Sequence, residues 1–169
     1  MEPSQVREVW RGRYLSAAVE SWPQVGGEYE VIRKHDAVAV VPVTPSGDVL
    51  LVRQFRPPVR TDLLEIPAGL LDVDGEDALT CATRELAEET GYRHTEIAFL
   101  GGVYLSPGFT DEYIHIFWAR TTDEPEGAAE PGITVVRMPL GEAVAAARAG
   151  RIRNATTALG LHLPPEATR

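Results

Sequence analysis

Three glutamates crowded onto one helical turn constrain this chain more than any other feature. Residues 69–92 read GLLDVDGEDALTCATRELAEETGY, and from about Glu76 onward Ala, Leu, Arg and Glu, all good helix formers, dominate. Asp74, Glu76 and Asp77 suit the positive end of a helix dipole, and Gly91 supplies a stop. Leu79, Ala82 and Leu86 recur at spacings of three and four, which predicts a stripe facing a core. Glu85, Glu88 and Glu89 stand at i, i+3 and i+4, so their carboxylates gather on a neighbouring face. Like charges at those spacings repel, and helix propensity does not account for the cluster. A hard divalent cation does, because Mg²⁺ and Mn²⁺ take oxygen ligands from carboxylates, waters and phosphates. For an isolated Glu-x-x-Glu-Glu, a solvated acidic face is the competing reading.

The longer pattern reverses that balance. It closely resembles the signature of the Nudix hydrolases, with Gly69, Glu76, Arg84, Glu85, Leu86, Glu88, Glu89 and Gly91 at its defining positions. Six residues, where the family has five, separate Gly69 from Glu76, and Tyr92 replaces the usual aliphatic residue. The extra residue falls in the loop 72–75, where insertions are tolerated. The resemblance covers roughly residues 36–162 and implies an α/β fold, the α/β/α sandwich with a mixed central sheet. It implies metal ligation by Glu85, Glu88, Glu89 and the carbonyl of Ala68, with Mg²⁺ or Mn²⁺ as cofactor and more than one ion per site. Glu88 is either a ligand or the general base. Glycine at 69 allows the close backbone approach that geometry needs. Glu76 and Arg84 are expected to pair structurally and fix the helix.

Along the chain, residues 6–22 and 29–34 read as strands split by a turn-rich 23–27. The apolar run 37–43 reads as a central strand, and a turn at Ser46-Gly47-Asp48 leads to the strand 49–55, the pair forming a hairpin. Residues 63–67 form a short extended piece. Strands are expected at 97–105, 113–119 and 133–138, an acidic surface loop at 121–131, and a helix at 140–149. Asn154 caps a last helix. The division is an N-terminal β extension, residues 1–35, and a catalytic domain, 36–169.

Three further constellations carry chemistry. The loop 106–112, with proline and glycine after serine, resembles the ADP-ribose pyrophosphatase branch of the family; that likeness makes Glu112 a second candidate base. Gly108 and Phe109 of the same loop are assigned to substrate, although Phe109 is equally plausible as a loop anchor. Arg56, at a strand end before Pro57-Pro58, has the planar fork that suits a diphosphate, and Glu65, a charge between Leu64 and Ile66, needs a partner. Resemblance to the same branch assigns Arg13, Tyr14 and Glu30 to a partner's nucleotide, through an extension exchanged within a homodimer; a solvated hairpin is the alternative. His35, His94 and His162 lack companions for a metal site, and His115 reads as packed.

The expected reaction is hydrolysis of ADP-ribose to AMP and ribose 5-phosphate. The alternatives are the same chemistry on another nucleoside diphosphate sugar such as GDP-mannose, or on a dinucleotide, and a non-catalytic nucleotide-binding domain. A net charge of −9 argues against nucleic-acid or anionic-membrane partners. No apolar run approaches the roughly 18 residues of a membrane span. The first ten residues lack a signal-peptide layout, and one cysteine, Cys81, excludes an internal disulfide, which fits a cytoplasmic protein. Cys81 itself is expected to be a small buried packing residue.

Overall fold

The stretch 6–22, expected as one strand, folds back at Gly12-Arg13-Tyr14, where the Gly12 N–H donates to the Leu15 carbonyl at 2.9 Å. The computed structural model describes residues 1–163; the end of the 36–169 division, 164–169, lies outside the described residues. The extension is therefore a three-stranded antiparallel sheet of β1 (Gln5–Arg11), β2 (Leu15–Trp22) and β3 (Gly27–Lys34). Every residue of β1 is exposed, whereas β2 buries Ser16, Ala18 and Glu20.

The larger sheet comprises β4 (Ala37–Val43), β5 (Asp48–Arg56), β6 (Thr61–Glu65), β7 (Ala68–Leu70), β8 (His94–Tyr104), β9 (Tyr113–Thr121) and β10 (Thr134–Pro139). Its spatial order is β10-β5-β4-β9-β8, with β6 paired to β5 and β7 to β4. The β4–β9 pair is parallel and the others antiparallel, so the sheet is mixed as expected. Strand β4 is apolar throughout because both faces are covered. Ala37, Ala39 and Val41 pack on the side of α2 (Leu140–Arg148) and α3 (Ala155–Gly160). Val38 and Val40 pack on the side of α1 (Ala78–Thr90), with Cys81, Ala82, Leu86 and Phe117.

The expected β4–β5 hairpin shrinks to one pair, Val43 with Val49. Strand β7 takes the rest of that edge, pairing Leu70, Gly69 and Ala68 with Ala37, Val38 and Ala39, and the Pro67 carbonyl accepts from Val40 N–H at 2.9 Å. This wedge brings Ala68 and Gly69 under α1.

Helix α1 starts two residues later than expected. Asp77 is its cap, accepting from Thr80 N–H at 2.7 Å, and Gly91 closes it in the left-handed region at φ 76°. The buried face is Cys81, Ala82, Leu86, Glu89 and Thr90. Leu79 is 47% exposed, which corrects the expected stripe: with the helix beginning at 78, Leu79 lies on the first turn beyond the sheet. The acidic loop after β9 is mostly exposed yet stitched to the helix end. The Gly91 carbonyl accepts from Glu126 and Gly127 N–H (2.8 and 3.1 Å), and the Glu88 carbonyl from Glu130 N–H (2.9 Å).

Asn154 caps α3 and organises a buried relay: Ile66 N–H donates to Thr157 Oγ1 (3.0 Å), which donates to Asn154 Oδ1 (2.9 Å). Thr157 is fully buried. Thr157→Val keeps the shape and strands the Ile66 N–H without an acceptor, so it should destabilise the fold by about 1–3 kcal/mol. Urea unfolding with an unchanged slope checks this; a change within error would mean the relay contributes nothing.

Candidate active site

Two acids of α1 reach back to β7. The Glu85 carboxyl lies against the Gly69 backbone, where an added Cβ would meet its carbon and oxygens at 2.0–2.3 Å. Glu89 Oε2 accepts from Ala68 N–H at 3.0 Å. Glycine at 69 is thus a requirement of close approach, here by the Glu85 side chain. Glu89 is 5% exposed, and burial pushes its carboxyl up to about 7, against the opposing bond from Ala68. Burial also raises Glu85, more than the neighbouring Arg84 lowers it.

Arg84 and Glu76 pair as expected, through Nε–Oε1 and Nη2–Oε2, both 2.9 Å. Arg84 also donates through Nη1 to Glu85 (2.6 Å) and Glu88 (3.0 Å). Its bidentate bond to Glu76 is the largest cause holding the Arg84 charge on and the Glu76 carboxyl low. Glu88 is half-exposed, and an exposed i,i+4 pair is worth only about 0.3–0.5 kcal/mol, so that contact holds Glu88 weakly. Cys81 is buried behind this network and its thiol is pushed up to about 12, chiefly by burial, consistent with the packing role.

Among the described residues, no three His, Cys, Asp or Glu side chains converge into a ready cation cage. The donor set nevertheless fits a hard cation. Glu85 and Glu89 meet the β7 backbone, with Glu88 beside them on the same helix, and the first two are desolvated so that added positive charge would relieve them. Arg84 already satisfies part of that charge, and Glu76 holds Arg84 independently of its contacts to Glu85 and Glu88.

A cleft of about 260 Å³ opens on the other side of β7, lined by Arg56, Glu65, Ala68, Gly69 and Glu112 together with Lys34, Asn154 and Thr156. Glu65 has the partner it needed: Arg56 Nη2 to Oε2 at 2.5 Å, with Nε within 3.2 Å of both oxygens. Glu112 receives Lys34 Nζ at 2.5 Å. The spacing of the sequence could not indicate Lys34, because its partner lies 78 residues away. Asn154 was legible only as a cap.

Other expected site residues lie elsewhere. Gly108 and Phe109 line a larger cavity of about 570 Å³, with Trp22, Tyr29 and Tyr104 around it. Phe109 also anchors its loop, its carbonyl accepting from Ile32 N–H at 2.7 Å. Arg13 stacks over Tyr14 at 4.9 Å, and both face a third cavity. Glu30 is exposed on β3 and lines none of the three. Arg13, Tyr14 and Glu30 are therefore not gathered with the glutamates within one chain, because the extension forms a separate sheet. His115 packs between Phe99 and Tyr113, as expected.

A family model described as "NUDIX domain" matches residues 33–159. Similar proteins include a "Methanol dehydrogenase activator" of Bacillus methanolicus, 32% identical over 93% of this chain and 88% of that protein. An "ADP-ribose pyrophosphatase" of Bacillus subtilis (strain 168) is 32% identical over 91% of this chain and 86% of its own length. A "GDP-mannose pyrophosphatase" of Yersinia enterocolitica is 40% identical over 67% of this chain and 64% of its own length.

Two outcomes follow from the geometry. In Gly69→Ala the atoms nearest the new methyl all belong to the mobile end of Glu85, so the fold should survive while that carboxylate is pushed aside. Mn²⁺ affinity, read by calorimetry, should fall about 10–100-fold with little change in melting temperature; unchanged affinity would remove Glu85 from the ligand set. Glu89 binds its proton more tightly folded, at about 7, than at the unfolded 4.5. Metal-free protein should therefore lose stability as pH rises from 4.5 to 7, by about 3 kcal/mol in all. Glu89→Gln should remove most of that slope in urea unfolding across the same range, leaving the smaller part due to Glu85.

Proposed function

The chain belongs to the NUDIX domain family, and from that premise we propose that it is a divalent-metal-dependent pyrophosphatase hydrolysing ADP-ribose to AMP and ribose 5-phosphate. The observation that carries the reading is the arrangement around β7. Arg56, held by Glu65, lies on the cleft side of Ala68 and Gly69, and Glu85 and Glu89 press on the same segment from α1. A guanidinium fork and a set of acids then bracket one phosphate-sized region.

Glu85, Glu88, Glu89 and the Ala68 carbonyl would hold Mg²⁺ or Mn²⁺, with more than one ion per site. Such ions neutralise phosphate oxygens and lower the pKa of a coordinated water. The chain's own residues do the rest. Arg56 orients the diphosphate, and Glu65 keeps its fork from turning away. Glu112, with Glu88 as the other candidate, accepts a proton from the attacking water. Water adds across one P–O bond of the bridge, and the departing phosphate keeps the bridging oxygen.

Substrate contacts by Gly108, Phe109, Arg13, Tyr14 and Glu30 belong to the same reading, with the extension of one protomer closing the partner's nucleotide site in a homodimer. The fully exposed β1, carrying Val6, Val9 and Trp10 at the surface, supports such pairing. No helix among the described residues is long and apolar enough to cross a membrane, and the single buried thiol suits a reducing cytoplasm. GDP-mannose is the second reading, favoured by the 40% identity to a protein named for it over 67% of this chain. The longer alignment, which includes the extension, favours ADP-ribose. A purely binding domain has no use for Glu112 and three further glutamates.

With Mg²⁺ and a panel of nucleoside diphosphate sugars, ADP-ribose should be the preferred substrate and AMP the product separated by chromatography. Glu89→Gln should lower kcat/KM by about 100-fold or more. Preference for GDP-mannose would select the second reading. Full activity in Glu89→Gln, or in the presence of a chelator, would overturn the metal assignment.

A further inference from the structure

Two cations line the 260 Å³ cleft, and each holds an acid: Arg56 holds Glu65 and Lys34 holds Glu112. The pairs differ in how tightly they are built. Arg56 closes on a fully buried carboxylate through a rigid fork, with Nε and Nη2 both engaged. Lys34 makes one contact from the end of a flexible four-carbon stem, and its ammonium has two further donors.

The backbones beneath the second pair are fixed together. Ile32 N–H donates to the Phe109 carbonyl at 2.7 Å, Lys34 N–H to Asp111 Oδ1 at 3.3 Å, and Arg33 Nη1 to Asp111 Oδ2 at 3.0 Å. Strand β3 and the Glu112 loop thus hold position while the Lys34 side chain is at liberty to change partner. A diphosphate carries more negative charge than one carboxylate and offers an ammonium several acceptor oxygens.

We propose that Lys34 is a diphosphate-binding residue whose ammonium leaves Glu112 for a phosphate oxygen as substrate enters, so that the anion itself unpairs the carboxylate. No proton moves in this exchange of partners, and the Glu112 Oε1 becomes open to a hydrogen bond from water. The identity of the anion rests on the pyrophosphatase reading above.

The test is a binding cycle using an ADP-ribose analogue with a methylene between the phosphorus atoms, measured by calorimetry with Mg²⁺. Lys34→Met should weaken binding about 10-fold, the worth of one charge-assisted hydrogen bond. Glu112→Gln should tighten it about fivefold by releasing Lys34, and that gain should shrink below about twofold in the Lys34→Met background. Lys34→Arg should retain affinity within about threefold, and Lys34→Gln replaces the methionine variant if that one does not fold. A merely structural ion pair weakens binding in both single variants and lowers both melting temperatures; that result overturns the proposal. Equal tightening by Glu112→Gln in both backgrounds overturns it too, since simple charge removal then suffices. Wild-type protein that binds the analogue but hydrolyses no nucleoside diphosphate sugar overturns the pyrophosphatase reading alone, while the Lys34 assignment is still decided by the binding data.

Discussion

The Glu85 carboxyl rests on the bare backbone of Gly69, and one turn later Glu89 takes the amide of Ala68. A three-residue strand and a thirteen-residue helix are therefore joined through acidic groups rather than through apolar packing alone. The acids bear a desolvation cost for that junction, visible in the upward shift of both carboxyls. An apolar pair at the same places would hold the elements together at lower cost, so the choice of glutamate points to chemistry rather than stability. The rest of the fold serves this junction. Strand β4 supplies the edge on which β7 lies, and Cys81, Ala82 and Leu86 seat α1 over Val38 and Val40.

The charges around the junction are sorted by how firmly they are held. Arg84 is bound in two places to Glu76 and in one place each to Glu85 and Glu88. Arg56 is forked onto Glu65, whereas Lys34 touches Glu112 once. Firm pairs set geometry, and single contacts leave acids available. That ranking follows from guanidinium and ammonium shape.

Much of this was legible from spacing. The helix, its glycine stop, the Glu76–Arg84 pair and the need of Glu65 for a partner are local or rest on one short pattern. The burial of β4 on both faces followed from an apolar run too continuous for a half-exposed strand. What escaped reading depended on tertiary pairing. The hairpin after Val43 yielded to β7, because pairing along an edge is decided by which segment arrives there. Leu79 matched a helical stripe by number, but the stripe rotates with the true start of the helix. Lys34 and Glu112 meet only because β3 runs alongside the 109–112 loop, which no periodicity encodes. Arg13, Tyr14 and Glu30 belong to a sheet that meets the main body through residues 32–34 of β3, and none of the three lies on that seam.

The two loops flanking α1 differ in the freedom they leave to evolution. The one before it, residues 72–75, is exposed and already carries one residue more than the family pattern. The one packed against its far end, the acidic loop between β9 and β10, looks equally disposable in composition, yet three of its amides are spent on the final carbonyls of the helix, and Gly91 passes so near the Gly127 carbonyl that a methyl would stand 2.2 Å from it. Lengthening the first changes only surface, whereas lengthening the second unclasps the end of the helix beside Glu88 and Glu89. A peptide tag or a grafted epitope therefore belongs ahead of the helix, and the trailing acidic loop, for all its exposure, keeps a fixed length.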